Sequence, residues 1–263
     1  MNWLNISLYG VLVRLAEVWK RCELRRVLAA VQGVSASTVV AGPFAGLRFA
    51  PDVDLSGQLP KMLGSYESEL HADIEKLISL AFGTVVNIGA ADGYYAVGMA
   101  MRLPRCNVIA FEMEDKRRQY CEDTVLLNHV GARVTVFGKC DWRTLAALPM
   151  DGALLVVDCE GAELDILSEE MVPRLTNAWL VIELHDALRP GCSRVLWQRF
   201  RETHDMKFIA AKPRDAESFP ALNGLRPRQK LLALDEHRLG IQEWAVMTPK
   251  SAGNRDLVHT SNG

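Results

Sequence analysis

Two short stretches of this sequence carry the side-chain types needed for acid–base work. Asp158 and Glu160 follow one apolar run, and Glu183, His185 and Asp186 close another. An imidazole titrates near neutrality, so His185 is the candidate general base, with Asp186 or Glu183 to fix its tautomer. Glu183 is a second catalytic candidate, and Asp158 either bonds a cofactor or orients a substrate. The carboxylates of Asp158, Glu160, Glu183 and Asp186 also offer hard oxygen ligands to Mg²⁺. A metal-free site is the preferred reading, because glutamates that open a helix, such as Glu160 and Glu163, equally serve its dipole.

A second constellation suits a nucleoside. Residues 87–93 read NIGAADG, a glycine turn between an apolar run and a helical pattern, and Glu112 ends the next apolar run. Gly89 and Gly93 let backbone approach a ligand, Ala90 keeps the path open, and a carboxylate at position 112 can accept both ribose hydroxyls. The rival ligand is a nicotinamide dinucleotide. Against it, Gly-x-Gly-x-x-Gly is absent, and Asp92 would repel a pyrophosphate lying on the helix N-terminus. S-adenosylmethionine raises no such conflict, since its ammonium and sulfonium are balanced by carboxylates. Cys140 and Asp141, past the third strand, would stand beside the adenine, with Asp141 either accepting from the exocyclic amine or capping a helix.

The elements that must position these groups alternate regularly. Apolar runs predict strands at 84–88, 108–111, 134–137, 154–157, 179–182, 208–211 and 244–247, with a helix over 95–103 and others in most gaps. The alternation implies a doubly wound, Rossmann-like α/β sheet covered on both faces. Ahead of it, residues 5–31 form an amphipathic, mildly basic helix, 41–49 a hairpin-like lead-in, and 66–80 a helix capped by Ser65 or Ser68 and stopped by Gly83. The expected organisation is a lead-in at 1–60, a catalytic domain at 61–250 with an insertion at 213–242, and a polar tail at 251–263. That insertion contains a helical stretch near 229–237, and its Arg226, Arg228 and Arg238 could meet an anionic acceptor.

Four segments, 63–70 (LGSYESEL), 85–95 (VVNIGAADGYY), 157–163 (VDCEGAE) and 181–186 (VIELHD), resemble the FkbM-type methyltransferases of the class I, S-adenosylmethionine-dependent superfamily. The resemblance implies a seven-stranded sheet whose last strand is antiparallel, and O-methylation of a hydroxyl on a sugar, glycan or secondary metabolite. It places Asn87 (where relatives often carry an acid), Gly89, Ala90, Asp92, Gly93, Glu112, Met113, Cys140, Asp141 and Asp158 around the cofactor, with Tyr66 and Glu67 over its methionine end. The alternatives are an NAD(P)-dependent oxidoreductase or a cofactor-binding module without turnover.

Composition narrows the classes. Thirty Lys plus Arg against 32 Asp plus Glu leave no basic excess for nucleic acid. The six cysteines have no metal-knuckle or disulfide spacing, which fits a reducing cytoplasm. The apolar stretch 4–18 is interrupted by Arg14 and Glu17, so neither a signal peptide nor a membrane span is expected. A small-molecule or glycan acceptor and a homodimer are the expected partners.

Overall fold

The computed structural model describes residues 8–31, 37–50, 55–238, 240 and 242–252. Residues 5–7 of the N-terminal helix and 253–263 of the polar tail lie outside it.

Seven strands form one sheet: β1 (Thr84–Ile88), β2 (Asn107–Phe111), β3 (Val134–Phe137), β4 (Leu154–Val157), β5 (Trp179–Leu184), β6 (His204–Ala210) and β7 (Glu243–Pro249). Their order is β3-β2-β1-β4-β5-β7-β6, with β7 antiparallel to both neighbours and the other pairs parallel. The antiparallel last strand is the one that the sequence led us to expect. An all-parallel dinucleotide-binding sheet of order 3-2-1-4-5-6 would have no strand between β5 and β6.

Why these segments become strands is visible in β4, whose four residues Leu154, Leu155, Val156 and Val157 are all buried. A strand covered on both faces reads as a continuous apolar run. Successive side chains alternate between two cores. Leu154 and Val156 join the cluster containing α4 (Tyr94–Arg102), whereas Leu155 and Val157 join the one containing α9 (Cys192–Phe200).

The first face also carries α1 (Leu8–Ala30), α2 (Leu55–Leu63), α3 (His71–Ser79) and α5 (Asp115–Leu127). The second carries α6 (Trp142–Ala146), α7 (Glu163–Ile166) and α8 (Val172–Leu175). α1 buries Leu24 and Val27 in the first core, joined by Val31 just past its end. The long segment between β6 and β7 packs on the same face through Leu222, Ala233 and Leu234 and includes α10 (Pro227–Ala233), which ends four residues earlier than expected.

Two local expectations fail, and α2, which contains Pro60, was not anticipated. α3 begins at His71, with Leu70 at the cap and no side-chain cap bond from Ser65 or Ser68. Glu67 has a φ of 46°, so residues 65–70 turn instead of continuing a helix. The helix stops at Ser79, with Ala81 at a φ of 55°, before Gly83 is reached.

Candidate functional site

The carboxyl ends of β4 and β5 open onto a cavity of about 170 Å³ lined by Tyr66, Asp158, Glu160, Glu183, Leu184, His185, Ala187, Leu188, Glu236, His237, Arg238 and Gln242. Open α/β sheets bind ligands at this edge. The volume falls below the usual range of roughly 300–1,000 Å³ for a whole small-molecule site, so it suits the reacting end of a ligand.

His185 is the best-placed titratable group. It follows β5, is 7% exposed, and its Nδ1 lies 2.7 Å from Oε1 of the fully buried Glu163. The same Glu163 oxygen accepts from the N–H groups of Gly161 at 3.2 Å and Cys159 at 3.4 Å, so one carboxylate holds both the imidazole and the loop after β4. Glu163 remains on the ionised side: burial opposes its charge, but the bond and charge of His185 draw its pKa below the carboxylate norm. An ionised acceptor at Nδ1 places the ring's hydrogen there and leaves Nε2 to the cavity. Nε2 stands 3.5 Å from Glu160 and 3.7 Å from Asp158. Burial works against a charged ring, yet Glu163, Asp158 and Glu160 together raise its pKa above 6.5.

The orienting partner is therefore Glu163, neither Asp186 nor Glu183. Asp186 accepts from the N–H groups of Gly191 at 3.1 Å and Ser193 at 3.0 Å and from the Ser193 hydroxyl, fastening the start of α9. Glu183 is driven the other way: burial and the adjacent Asp158 push its pKa up to about 12, and Asp158 is raised by burial as well. The pair retains a proton near neutrality, because two desolvated carboxylates this close resist double ionisation.

A metal reading changes accordingly. Asp186 is committed elsewhere, so the four-oxygen set expected for Mg²⁺ does not form. Among the described residues the group with metal-ligand geometry is Asp158, Glu183 and His185, whose ligand atoms lie within 4.8 Å of one another. Mg²⁺ favours oxygen donors, and a nitrogen-containing set fits it poorly.

The glycine turn and Glu112 meet directly. Ala91 donates its N–H to Glu112 Oε2 at 2.8 Å, and Glu114 donates to Oε1 at 2.9 Å. Gly89 and Ala90 both donate to the Phe111 carbonyl at 2.9 Å. Gly89 has a φ of 81°, and a Cβ built there would lie 1.5 Å from the carbonyl oxygen of Asp158. Its small size thus serves the close approach of the β1 and β4 loops, where open space for a ligand was expected.

Other candidates are placed as follows. Asn87 is buried, with its amide N–H 3.4 Å from the Val156 carbonyl and its Oδ1 without a partner among the described residues. Met113 is 71% exposed beside Glu112. Cys140 is buried in the core with Leu145. Asp141 caps α6, accepting from the Thr144 N–H and hydroxyl, each at 2.8 Å. Tyr66 lines the cavity, whereas Glu67 is 3% exposed and accepts from the Tyr95 hydroxyl. Arg226 bonds Glu23, and Arg228 stacks on Trp19, both on α1, away from the cavity. Arg238 lines the cavity and bonds Glu236.

Asp92 is occupied. Lys61 Nζ reaches its two carboxylate oxygens at 2.8 and 2.7 Å, with both side chains nearly buried. The charge expected to repel a pyrophosphate is thereby neutralised, and that part of the case against a dinucleotide lapses. Lys61 escaped sequence reading; its one signal is a lone cation between Leu59 and Met62. Glu163 escaped as an orienting group because an acid in a helix's first turn looks the same as one serving the dipole.

No protein-family model matches this sequence, and no curated protein matches it. Several solved structures are similar to this chain. They include cofactor-bound Rv0187 from MTB (14% identity, 85% of this chain and 88% of that one, TM-score 0.47). Another is the O-methyltransferase TomG of Streptomyces achromogenes in complex with SAM (13% identity, 73% and 87%, TM-score 0.44). A third is the B. subtilis tRNA methyltransferase TrmK (11% identity, 66% and 64%, TM-score 0.42). No described helix is long and apolar enough to cross a membrane, and all six cysteines are free thiols.

Proposed function

We propose that this chain transfers a methyl group from S-adenosylmethionine to a hydroxyl of a sugar, glycan or secondary metabolite, in the manner of FkbM-type enzymes. The observation that carries this reading is the Glu163–His185 pair, which presents Nε2 to a cavity at the carboxyl ends of β4 and β5. Beside it, across β1, the turn at 89–93 meets Glu112.

Ala90, Gly93, Glu112 and Met113 would hold the adenosine, Asp141 would reach its adenine, and Tyr66 would flank the methionine end. When bound, S-adenosylmethionine supplies a methyl carbon activated by its sulfonium. His185 Nε2 would take the acceptor's hydroxyl proton as the methyl group leaves the cofactor's sulfur, which becomes a neutral thioether, for the acceptor oxygen, and Glu163 would stabilise the imidazolium. Asp158 orients the acceptor, and the protonated Glu183 keeps a second negative charge from developing beside it. Alignment of this kind supplies most of the rate in a displacement, with the base adding about 10²- to 10⁴-fold. The balanced surface charge fits a small acceptor and a cytoplasmic setting.

Calorimetric titration tests the reading. S-adenosylhomocysteine is expected to bind, NAD and NADP to give no heat, and Glu112→Ala to weaken the nucleoside at least tenfold. Dinucleotide binding in the absence of homocysteine-ligand binding would replace this function with an oxidoreductase.

A further inference from the structure

We propose that Lys61 receives the carboxylate of the cofactor's methionine end, with Asp92 holding its ammonium in place. This rests on the function proposed above and adds a residue that the glycine-turn reading leaves out.

The methionine end of S-adenosylmethionine is a zwitterion, so its site needs a cation as well as acids. Acids are plentiful here: Asp92 in the turn, Glu112 beside it, and Asp158 and Glu160 at the cavity. Cations are scarce. Arg238 lines the cavity but is committed to Glu236, with Glu69 at 3.7 Å. The cation bonded to the turn itself is Lys61, from α2.

Two of the three ammonium protons go to the Asp92 oxygens. The Tyr66 and Tyr94 rings lie 5.0 and 5.8 Å from Nζ, positions that stabilise the charge without using its remaining proton. Tyr66 also lines the cavity, so the same ring borders the reacting edge and flanks Lys61. An ammonium fixed by a buried carboxylate and flanked by two aromatic rings is held in position and keeps one donor from which a ligand carboxylate can accept.

The test compares S-adenosylhomocysteine with its decarboxylated analogue, which retains the amine, thioether and adenosine, by calorimetry on the full chain. Wild type is expected to prefer the carboxylate-bearing ligand. Lys61→Gln should lose roughly 10- to 100-fold for it, the scale of a charge-assisted bond, and change less than about threefold for the analogue. Lys61→Arg should recover part of the loss. Equal weakening of both ligands by Lys61→Gln would make Lys61 a brace for the turn, and unchanged binding of both would remove it from the site. Either result overturns the proposal while the methyltransferase reading stands. If wild type binds neither ligand, the function proposed above fails and this inference with it. Should Lys61→Gln fail to fold, the charge-neutral Lys61→Gln/Asp92→Asn pair carries the same comparison.

Discussion

At the residue scale the decisive contact is the 2.7 Å bond between Glu163 and His185. It makes a sharp pH prediction. A base must be unprotonated to act, and the ring's pKa stands above 6.5, so activity should fall on the acid side through that raised value. Glu163→Gln removes the charge that favours the imidazolium. The acid limb of the kcat profile should then move to lower pH while the plateau drops, and an unmoved limb would deny Glu163 its role. His185→Ala should cut kcat by about 10²- to 10⁴-fold with S-adenosylhomocysteine affinity within roughly twofold. Sequence reading located His185 and the acids around it because each ends an apolar run. It named the wrong partner because Glu163 reaches the ring from another strand's loop, 22 residues away.

At the element scale, the strands were legible because burial on both faces writes itself as short runs of Val, Leu and Ile. β1, β3 and β4 begin and end where the sequence places them. The edge strand β6 and its neighbour β7 run longer than expected, since exposed residues such as Lys207 still pair in the ladder. Helix starts were the least legible, and the left-handed Glu67 has no compositional signature. The contact between the β1 and β4 loops was likewise invisible, and it yields a prediction. Gly89→Ala adds a Cβ where the Asp158 carbonyl already sits, on a backbone with φ of 81°. Both penalties fall on rigid main chain, so a loss of about 3 kcal/mol or more is expected in denaturant unfolding. Wild-type stability in that variant would mean that the two loops part easily.

At the scale of the whole molecule, the segment between β6 and β7 is tied to the region before β1 by buried charges. Arg214 bonds Glu69 at 2.7 Å and Glu236 at 2.6 Å, and Glu236 also accepts from the Glu67 N–H. Glu67 itself sits beneath this network, and burial together with Asp158 and Glu236 raises its pKa from 4.5 to about 7. The native state thus holds a proton that the unfolded chain releases above about pH 4.5. This group's contribution is greatest below that pH and is lost as pH climbs through about 7. Glu67→Gln, which preserves an acceptor for Tyr95, should flatten the decline in unfolding free energy between pH 5 and 8. An identical slope in the variant would show that Glu67 ionises without cost.

The position of β7 between β5 and β6 bears on how the protein is made. Synthesis runs from the amino end, and the ribosome delivers β6 more than 30 residues before the strand that joins it to the rest of the sheet. Until β7 emerges, β5 is left with an open, strongly apolar edge, and β6 has nowhere to attach. Such an edge invites pairing with other nascent chains. Among the described strands, the last to leave the ribosome is therefore the one that seals the sheet.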